Sequence, residues 1–232
     1  MRAEVVRYWD ALGKRKNRIV RPRPLALYRT RPLSSIWGAD RGTPIDRYYI
    51  ERFLDEHRQV IRGSVLEIKH SMYTDRFGVG VRERAVLDID ASNARATIVA
   101  DLAAADAAPT AAFDCFILTQ TLQYVYDVQA ALRHSHRMLR PGGVLLCTVP
   151  SVSGIDPGSL ENEYWRFTRA SCSRLFEDAF PGCDVVVRSH GNVLAATSFL
   201  AGIAAEELPR RQLDRDDDSF PLILTVRAEK PR

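Results

Sequence analysis

The chain has 232 residues, of which 46% are apolar and 27% charged, with a formal net charge of +4. That length and composition predict one folded globular domain with an extension. No apolar run approaches the ~20 residues that span a bilayer. The N-terminus also lacks the apolar core of a secretion signal, so we expect a cytoplasmic protein.

The four cysteines show no paired spacing of the kind that indicates a metal site or a disulfide framework. Cys115 and Cys147 fall in apolar runs that predict buried strands, and the other two are Cys172 and Cys183. We expect free thiols in a reducing compartment and no bound metal.

The first 40 residues are predicted to form a basic arm, followed by a folded domain over residues 41–232. Residues 1–31 hold ten Lys or Arg against two acids, Glu4 and Asp10. Such an arm can contact a phosphate-rich partner, such as a membrane surface or a lipid-diphosphate-linked sugar, or remain a solvated tail. It lacks the interleaved aromatic residues that stack unpaired bases, so nucleic acid is the less favoured partner.

The first half of the domain alternates between helical and extended patterns. Thr43 and Pro44 open a helix, since proline suits the first helical position, and Arg62-Gly63 ends it. Short apolar runs then predict three strands, at residues 64–68, 85–89 and 97–100. An alanine-rich linker at residues 103–112 is predicted to be a loop or a short helix.

Residues 113–150 predict a β-α-β unit. Residues 113–118 form an apolar run typical of a strand buried on both faces. The helix that follows has one apolar stripe, made of Val128, Ala131, Leu132, Ser135, Met138 and Leu139. Arg137 and Arg140 are expected in its last turn, where cations suit the helix dipole. Pro141-Gly142-Gly143 is predicted to stop the helix and reverse the chain before a strand at residues 144–149.

The last third begins with a polar loop at residues 151–162. Thr168 is expected to cap a helix over residues 169–180. A sixth strand at 183–189, a helix at 192–208, an acidic loop at 214–219 and a last strand at 220–228 complete the order. Because helices alternate with strands, we predict an α/β fold: a Rossmann-like, doubly wound seven-stranded sheet, mostly parallel with an antiparallel last strand.

Several of these segments resemble class I S-adenosylmethionine-dependent methyltransferases. The strand at 113–118, the loop Thr119-Gln120-Thr121-Leu122 and the sequence LRPGG are similar to the middle of that family. VLEI, VLDIDAS and IVADL resemble its first three strands, in the expected order, and the likeness covers roughly residues 40 to 230. A narrower likeness, to small methyltransferases found with glycosyltransferases in bacterial polysaccharide gene sets, is carried by GTPIDRYYIERFL, EYWRFT and GNVLAATSFLAG.

The resemblance implies S-adenosylmethionine as the cofactor, bound at the carboxyl ends of the strands, where open α/β sheets bind ligands. It puts Asp90 beside the ribose and Asp101 beside the adenine amine. The implied cofactor-binding residues are Glu67, Ile68, His70, Tyr73, Asp90, Asp101, Leu102, Thr119 and Gln120. Structural alternatives stay open: Asp88 can point to solvent, and Asp101 can cap a short helix.

The loop after the first strand departs from the family pattern. The broad family has E-x-G-x-G-x-G there, since glycine lets the backbone approach the cofactor and adopt positive φ. The narrower group has E-I-G-D-x-x-Y-T, which matches at Glu67, Tyr73 and Thr74, whereas Lys69 and His70 replace the Gly and the Asp. The lysine adds a Cβ and a cation near a sulfonium. This departure supports an alternative in which the domain no longer transfers methyl groups and acts as a binding or assembly partner.

The residues expected on the acceptor side come after the fifth strand. His190 is the candidate general base, since a hydroxyl acceptor benefits from a base that titrates near neutral pH. Tyr164, Arg166 and Asn192 are the candidate substrate contacts, because aromatic faces stack on sugar rings and Arg pairs with carboxylate or phosphate. In the structural alternatives, His190 is a structural residue whose hydrogen bonds are satisfied. Trp165 and Phe167 belong to the core with Arg166 bridging to an acid, and Asn192 starts a helix.

The favoured function is methyl transfer to oxygen, on a sugar or a glycosylated small molecule in polysaccharide or natural-product biosynthesis. The sugar acceptor is implied by the polysaccharide gene sets in which the narrower group of methyltransferases is found. Two alternatives are the binding domain without transfer and an RNA methyltransferase that uses the basic arm.

Overall fold

The computed structural model describes residues 29–232. The predictions for residues 1–28, which hold most of the basic arm, lie outside the described residues. The helices are α1 (Ile45–Glu56), α2 (Met72–Phe77), α3 (Val128–Met138), α4 (Arg169–Ala179), α5 (Val193–Leu200) and α6 (Arg210–Leu213). The strands are β1 (Gly63–Ile68), β2 (Val81–Asp88), β3 (Ile98–Val99), β4 (Phe113–Thr119), β5 (Leu139–Pro150), β6 (Asp184–His190) and β7 (Ile223–Glu229). In this described part of the chain, no helix has both the length and the apolar character to span a membrane.

The seven strands form one sheet in the order β3-β2-β1-β4-β5-β7-β6. β1 is parallel to β2 and β4, and β4 is parallel to β5, with Thr119 opposite Thr148. β7 runs antiparallel to β5, since Gly142 N donates to Lys230 O at 3.0 Å and Lys230 N donates to Gly143 O at 2.9 Å. The predicted fold class, a mostly parallel seven-stranded α/β sheet with an antiparallel last strand, is confirmed.

The described residues divide into two compact units. The first contains residues 29–51, Ser151–Glu163 and Ser189–Ile223, and the second contains Arg52–Pro150, Tyr164–Arg188 and Leu224–Arg232. The main apolar core lies in the second unit and includes the fully buried Leu66, Phe116, Leu118, Leu145 and Leu224. α3 contributes most of the predicted apolar stripe to this core, whereas Leu139, the last residue of the predicted stripe, begins β5. The first unit has its own long-range bonds, such as Tyr49 Oη to Leu213 O at 2.8 Å.

The turn predicted at Pro141-Gly142-Gly143 lies inside a strand. α3 ends at Met138 and β5 follows directly, so Arg137 is in the last helical turn as predicted but Arg140 is not. The pairing of β4 with β5 shifts register here, which makes the glycines part of an irregularity within the ladder. Gly142 has φ +75°, a conformation that glycine adopts without strain.

The helix predicted over residues 192–208 was too long. α5 ends at Leu200, because Gly202 follows with φ +73° and its amide bonds back to Phe199 O at 3.0 Å. A short 3₁₀ turn over Ala205–Glu207 and the separate helix α6 take the place of the remainder.

Candidate functional site

Five parallel strands of the second unit end side by side and bring the predicted polar residues to one edge of the sheet. The strand ends follow one another in the order β3, β2, β1, β4 and β5. Glu67 and Ile68 close β1, Asp88 closes β2, Asp101 follows β3, and Thr119 closes β4. This is the edge at which α/β sheets bind ligands.

The buried carboxylate of Glu67 organises the loop that follows β1. Its oxygens accept hydrogen bonds from Tyr73 N at 3.0 Å, from Thr74 N at 2.8 Å and from the Thr74 hydroxyl at 2.8 Å. These amides belong to the first turn of α2, so Glu67 caps that helix in place of Ser71, whose side chain makes no cap bond. His70 Nδ1 lies 3.4 Å from Glu67 Oε1. Glu67 and His70 therefore meet within the loop itself.

Lys69 adopts the backbone conformation that the family pattern assigns to glycine. Its φ is +65°, in the left-handed region, while its side chain is exposed. Lys69 N donates to Leu87 O at 3.0 Å, and Asn93 Nδ2 donates to Lys69 O at 2.8 Å. The loop thus keeps a left-handed residue at this position although the glycine is absent.

The acid that ends β2 is Asp88, and Asp90 lies two residues beyond it. Asp88 is 7% exposed, so the alternative that it points to solvent was wrong. Its oxygens accept from Asp90 N at 3.1 Å and from Asn93 Nδ2 at 2.8 Å. Asp90 Oδ1 accepts from both the amide and the hydroxyl of Ser92. Asp88 therefore supports the turn that carries Asp90, a contribution that sequence analysis missed because the DID sequence does not reveal which acid is buried.

Asp101 caps a short helical turn, as its structural alternative stated. Its Oδ1 accepts from Ala103 N at 2.9 Å, at the start of the 3₁₀ turn Leu102–Ala104. The Asp101 side chain is exposed, so a cap role leaves room for a ligand contact. Leu102 and Tyr73 are 4% and 2% exposed. Their side chains are buried, and these two residues can offer a ligand only backbone atoms or a small part of the side chain.

Two glutamines define the loop after β4. Gln120 has φ +46°, and its N donates to Thr148 O at 2.9 Å. Gln123 Nε2 donates to Gln120 O at 3.0 Å and lies 3.4 Å from Gln120 Oε1. Among the described residues, Gln120 Nε2 and Thr148 Oγ1 are buried atoms without a hydrogen-bond partner. Buried polar atoms are nearly always paired, so these two are candidate ligand contacts.

Tyr164 and Arg166 lie on the segment that packs against this loop. Tyr164 N donates to Gln123 O at 2.7 Å, and Arg166 Nη1 donates to Trp165 O at 2.9 Å. Phe167 is buried in the apolar core, whereas Tyr164 and Trp165 are exposed. The alternative that made Trp165 and Phe167 core residues is therefore correct for Phe167 and wrong for Trp165.

His190 belongs to the first unit and has an acidic partner that sequence analysis missed. Its Nδ1 lies 3.3 Å from Asp216 Oδ2, and its ring stacks on Tyr49 with the centroids 6.0 Å apart. Gly191 N donates to the other Asp216 oxygen at 2.8 Å. Asn192 caps α5, as its structural alternative stated. The acidic loop at residues 214–219 was the one signal in the sequence for this carboxylate.

The buried cysteines do not supply a nucleophile at this edge. Burial raises the pKa of the Cys172 thiol to about 12, and it raises the pKa of Cys115 and of Cys147 well above the usual value. All four cysteines are free. Among residues 29–232, no group of three His, Cys, Asp or Glu side chains is arranged to hold a metal ion.

Comparison with known proteins gives a domain match and a shared fold. A family model described as a methyltransferase domain matches residues 72–147, from α2 into β5. No curated protein sequence matches the chain significantly. Among solved structures, an S-adenosylmethionine-dependent methyltransferase from Mesorhizobium loti is 17% identical, with a TM-score of 0.53 over 80% of this chain and 98% of that one.

Two further structures share the fold. A complex between the Haloferax volcanii Trm112 methyltransferase activator and a methyltransferase matches with a TM-score of 0.55 at 19% identity, over 81% of this chain and 91% of that one. The cyclase SpnF matches with a TM-score of 0.53 at 15% identity, over 78% and 80%. The family model thus matches residues 72–147 as a methyltransferase domain, and the solved structures share the fold of this chain.

Proposed function

We propose that the chain transfers a methyl group from S-adenosylmethionine to an oxygen of a sugar or a glycosylated small molecule. The observation that carries this proposal is the edge of the sheet where Glu67, Asp88 and the Gln120 loop lie at neighbouring strand ends. The methyltransferase domain match spans three of those strands, β2, β3 and β4.

The residues at this edge fit the cofactor. Asp90 and Asp101 are carboxylates just beyond strand ends, which can accept hydrogen bonds from ribose hydroxyls and from an adenine amine. Gln120 Nε2 is a buried donor with no partner among the described residues. Because the Lys69 side chain is exposed, its cation can extend into solvent and away from a bound sulfonium. When bound, the cofactor supplies a methyl group already activated by that sulfonium.

His190 takes the acceptor proton in this proposal. The contact between its Nδ1 and Asp216 holds the imidazole in one orientation. Tyr164 and Arg166 are the proposed acceptor contacts. Asn192 is the weaker candidate, because its side-chain oxygen and nitrogen already bond to the backbone of Ala195 and Gln212.

Calorimetric titration with S-adenosylmethionine and S-adenosylhomocysteine tests cofactor binding. We expect micromolar affinity for the wild-type protein and a loss of ~1–3 kcal/mol in Asp90→Ala if its hydrogen bonds to the ribose are removed. Asp178→Asn, an exposed acid on α4, is the matched control and should bind normally. Absence of binding by the wild-type protein would favour the alternative of a domain that no longer transfers methyl groups.

Mass spectrometry with isotopically labelled S-adenosylmethionine and a panel of free and lipid-linked glycosides tests the transfer itself. His190→Gln should lower the transfer rate by roughly 10²–10⁴ while cofactor affinity stays unchanged, since a general base contributes about that factor. An unchanged rate in His190→Gln would remove His190 from the proposal without affecting the cofactor site.

A further inference from the structure

Three aromatic rings form an exposed cluster beside the loop that follows β4. Tyr126 is 72% exposed, Tyr164 46% and Trp165 40%. The Tyr126 ring meets the Tyr164 ring edge-on at 5.3 Å and lies 6.1 Å from the Trp165 ring, centroid to centroid. We refer to Tyr126, Tyr164 and Trp165 as the aromatic platform.

Hydrogen bonds to the backbone hold the platform in place. Tyr164 N and Trp165 N both donate to Gln123 O, at 2.7 and 3.3 Å. The Trp165 indole nitrogen donates to Val125 O at 3.1 Å. The residue after Tyr126 is Asp127, whose side chain caps α3. Because the rings stand on a fixed backbone, binding to them requires little additional ordering of the chain.

The apolar core does not account for these rings. Phe167, two residues after Trp165, supplies the buried ring of this segment, and the apolar stripe of α3 begins at Val128, after Tyr126. Single exposed apolar side chains are common on protein surfaces, but the largest contiguous exposed patch on a protein is often functional.

We propose that the aromatic platform binds a pyranose ring of the acceptor, an inference that rests on the proposed methyl transfer to a sugar. The face of an aromatic ring carries negative partial charge and attracts the polarised C–H bonds of a sugar ring. Tyr126 and Tyr164 also carry phenol hydroxyls, which can exchange hydrogen bonds with sugar hydroxyls.

The size and charge of the platform favour a sugar over a protein or a membrane. Three aromatic side chains offer at most a few hundred Å² of further contact, well below the roughly 800 Å² that each partner buries in a stable protein interface. The neighbouring charged residues in the chain, Asp127 and Arg166, have opposite signs, whereas a membrane surface attracts clusters of cations.

Gln123 joins the platform to the edge of the sheet proposed for the cofactor. Its carbonyl oxygen accepts the two platform amides, and its side-chain amide donates to Gln120 O at 3.0 Å. Gln120 directly follows the carboxyl end of β4. A sugar stacked on the platform is therefore held next to the strand ends at which methyl transfer is proposed.

Saturation-transfer NMR with the methyl glycosides of glucose, galactose, mannose and rhamnose tests the platform directly. The wild-type protein should transfer saturation to ring C–H protons of at least one glycoside, and Tyr126→Ala should weaken that binding about three- to tenfold. Tyr126→Phe, which keeps the ring, should retain most of the affinity. Phe220→Ala removes a ring that is 53% exposed and lies outside the platform, and it should leave glycoside binding unchanged.

The outcomes separate this proposal from the proposed methyl transfer. If the wild-type protein binds S-adenosylmethionine but none of the glycosides, the platform assignment is overturned and the transferase proposal stands. Equal glycoside affinity in Tyr126→Ala and wild type would also overturn it, as would platform-dependent binding to phosphatidylglycerol vesicles in place of glycosides. Glycoside binding that is lost in Tyr126→Ala, in a protein that fails to bind S-adenosylmethionine, would support the platform and remove the transferase proposal.

Discussion

Lys69 holds a side chain at a position where the backbone favours glycine. A left-handed conformation costs an L-residue roughly 1–2 kcal/mol, and Lys69 has φ +65°. Lys69→Gly should therefore have a free energy of unfolding about 1 kcal/mol higher than Lys69→Ala, which keeps the Cβ and removes the rest of the side chain with its cation. Urea unfolding measures the difference as a shift in midpoint at constant slope. Equal midpoints for the two variants would show that the left-handed backbone at Lys69 is not strained by a Cβ atom.

Glu67 is a buried carboxylate whose two oxygens accept hydrogen bonds from two backbone amides and a hydroxyl. Glu67→Gln would turn an amide NH₂ toward the amide hydrogens of Tyr73 or Thr74, leaving a buried donor unpaired. We expect the free energy of unfolding to fall by about 2–3 kcal/mol. Thr74→Val is the matched control, since it removes only the hydroxyl donor and should cost about 1 kcal/mol. Equal stability of Glu67→Gln and wild type would show that the carboxylate does not cap α2.

Sequence alone predicted single-residue roles where the partner is close in the chain. The Thr168 cap was confirmed because its bond joins residues three apart. The pairing of His190 with Asp216 joins residues 26 apart, and no local pattern indicates it. The burial of Asp88 depends on the neighbouring strands and on Asn93, so it too could not be read from the alternating acids.

At the scale of elements, Asp114 on β4 ties together three neighbouring strands. Its Oδ2 accepts from Ser64 N on β1 at 2.8 Å and from Arg140 Nη1 on β5 at 2.9 Å. Burial raises the pKa of Asp114, but these hydrogen bonds and the charges of Arg140 and Arg82 outweigh it, so the pKa lies below its usual value. A carboxyl group with a lowered pKa stabilises the folded state above its unfolded pKa, and that contribution is lost as the pH falls through the folded pKa.

Asp114→Asn should therefore lower the free energy of unfolding at neutral pH by about 1 kcal/mol, since the partly exposed pair is weakened by solvent. The difference from wild type should shrink as the pH falls below about 4, where the wild-type carboxyl also becomes protonated. Urea unfolding of both proteins, from neutral pH to below about 4, measures this difference in the free energy of unfolding. Asp75→Asn, whose pair with Arg84 is more exposed, should change stability by only a few tenths of a kcal/mol. A pH-independent difference for Asp114→Asn would rule out the charge as its cause.

The observed element lies where the sequence predicts it if its apolar period is strong. It differs from the prediction where pairing with a distant strand determines the backbone. α3 lies where the apolar stripe predicts a helix, because the stripe repeats over three turns, but it ends at Met138, before the predicted last-turn residue Arg140. Pro141-Gly142-Gly143 is locally typical of a turn, yet Gly142 and Gly143 bond to Lys230, the residue after β7, which lies far along the chain. That pairing continues β5 through the sequence that was predicted to interrupt it.

At the scale of the whole molecule, alternating helices and strands were sufficient to predict the sheet and its antiparallel last strand. The grouping of residues 29–51 with Ser189–Ile223 was not predicted. It depends on contacts such as Ala205 N to Thr43 O at 2.8 Å, between residues that share no local pattern. Fold class follows from the order of elements, whereas the composition of each unit follows from contacts between distant segments.

All four cysteines belong to the second unit, so thiol labelling reports on the opening of its sheet. Cys115, Cys147 and Cys172 are fully buried with raised pKa values. A thiol of pKa about 12 is a thiolate in only about one molecule in ten thousand at pH 8, and the thiolate is the reactive form. Iodoacetamide followed by mass spectrometry should label Cys183 first, and the other three only at the rate at which the sheet opens. Cys183→Ser should abolish the fast phase of labelling. If Cys115 were labelled as fast as Cys183 in native buffer, the prediction that the buried thiols react only when the sheet opens would be wrong.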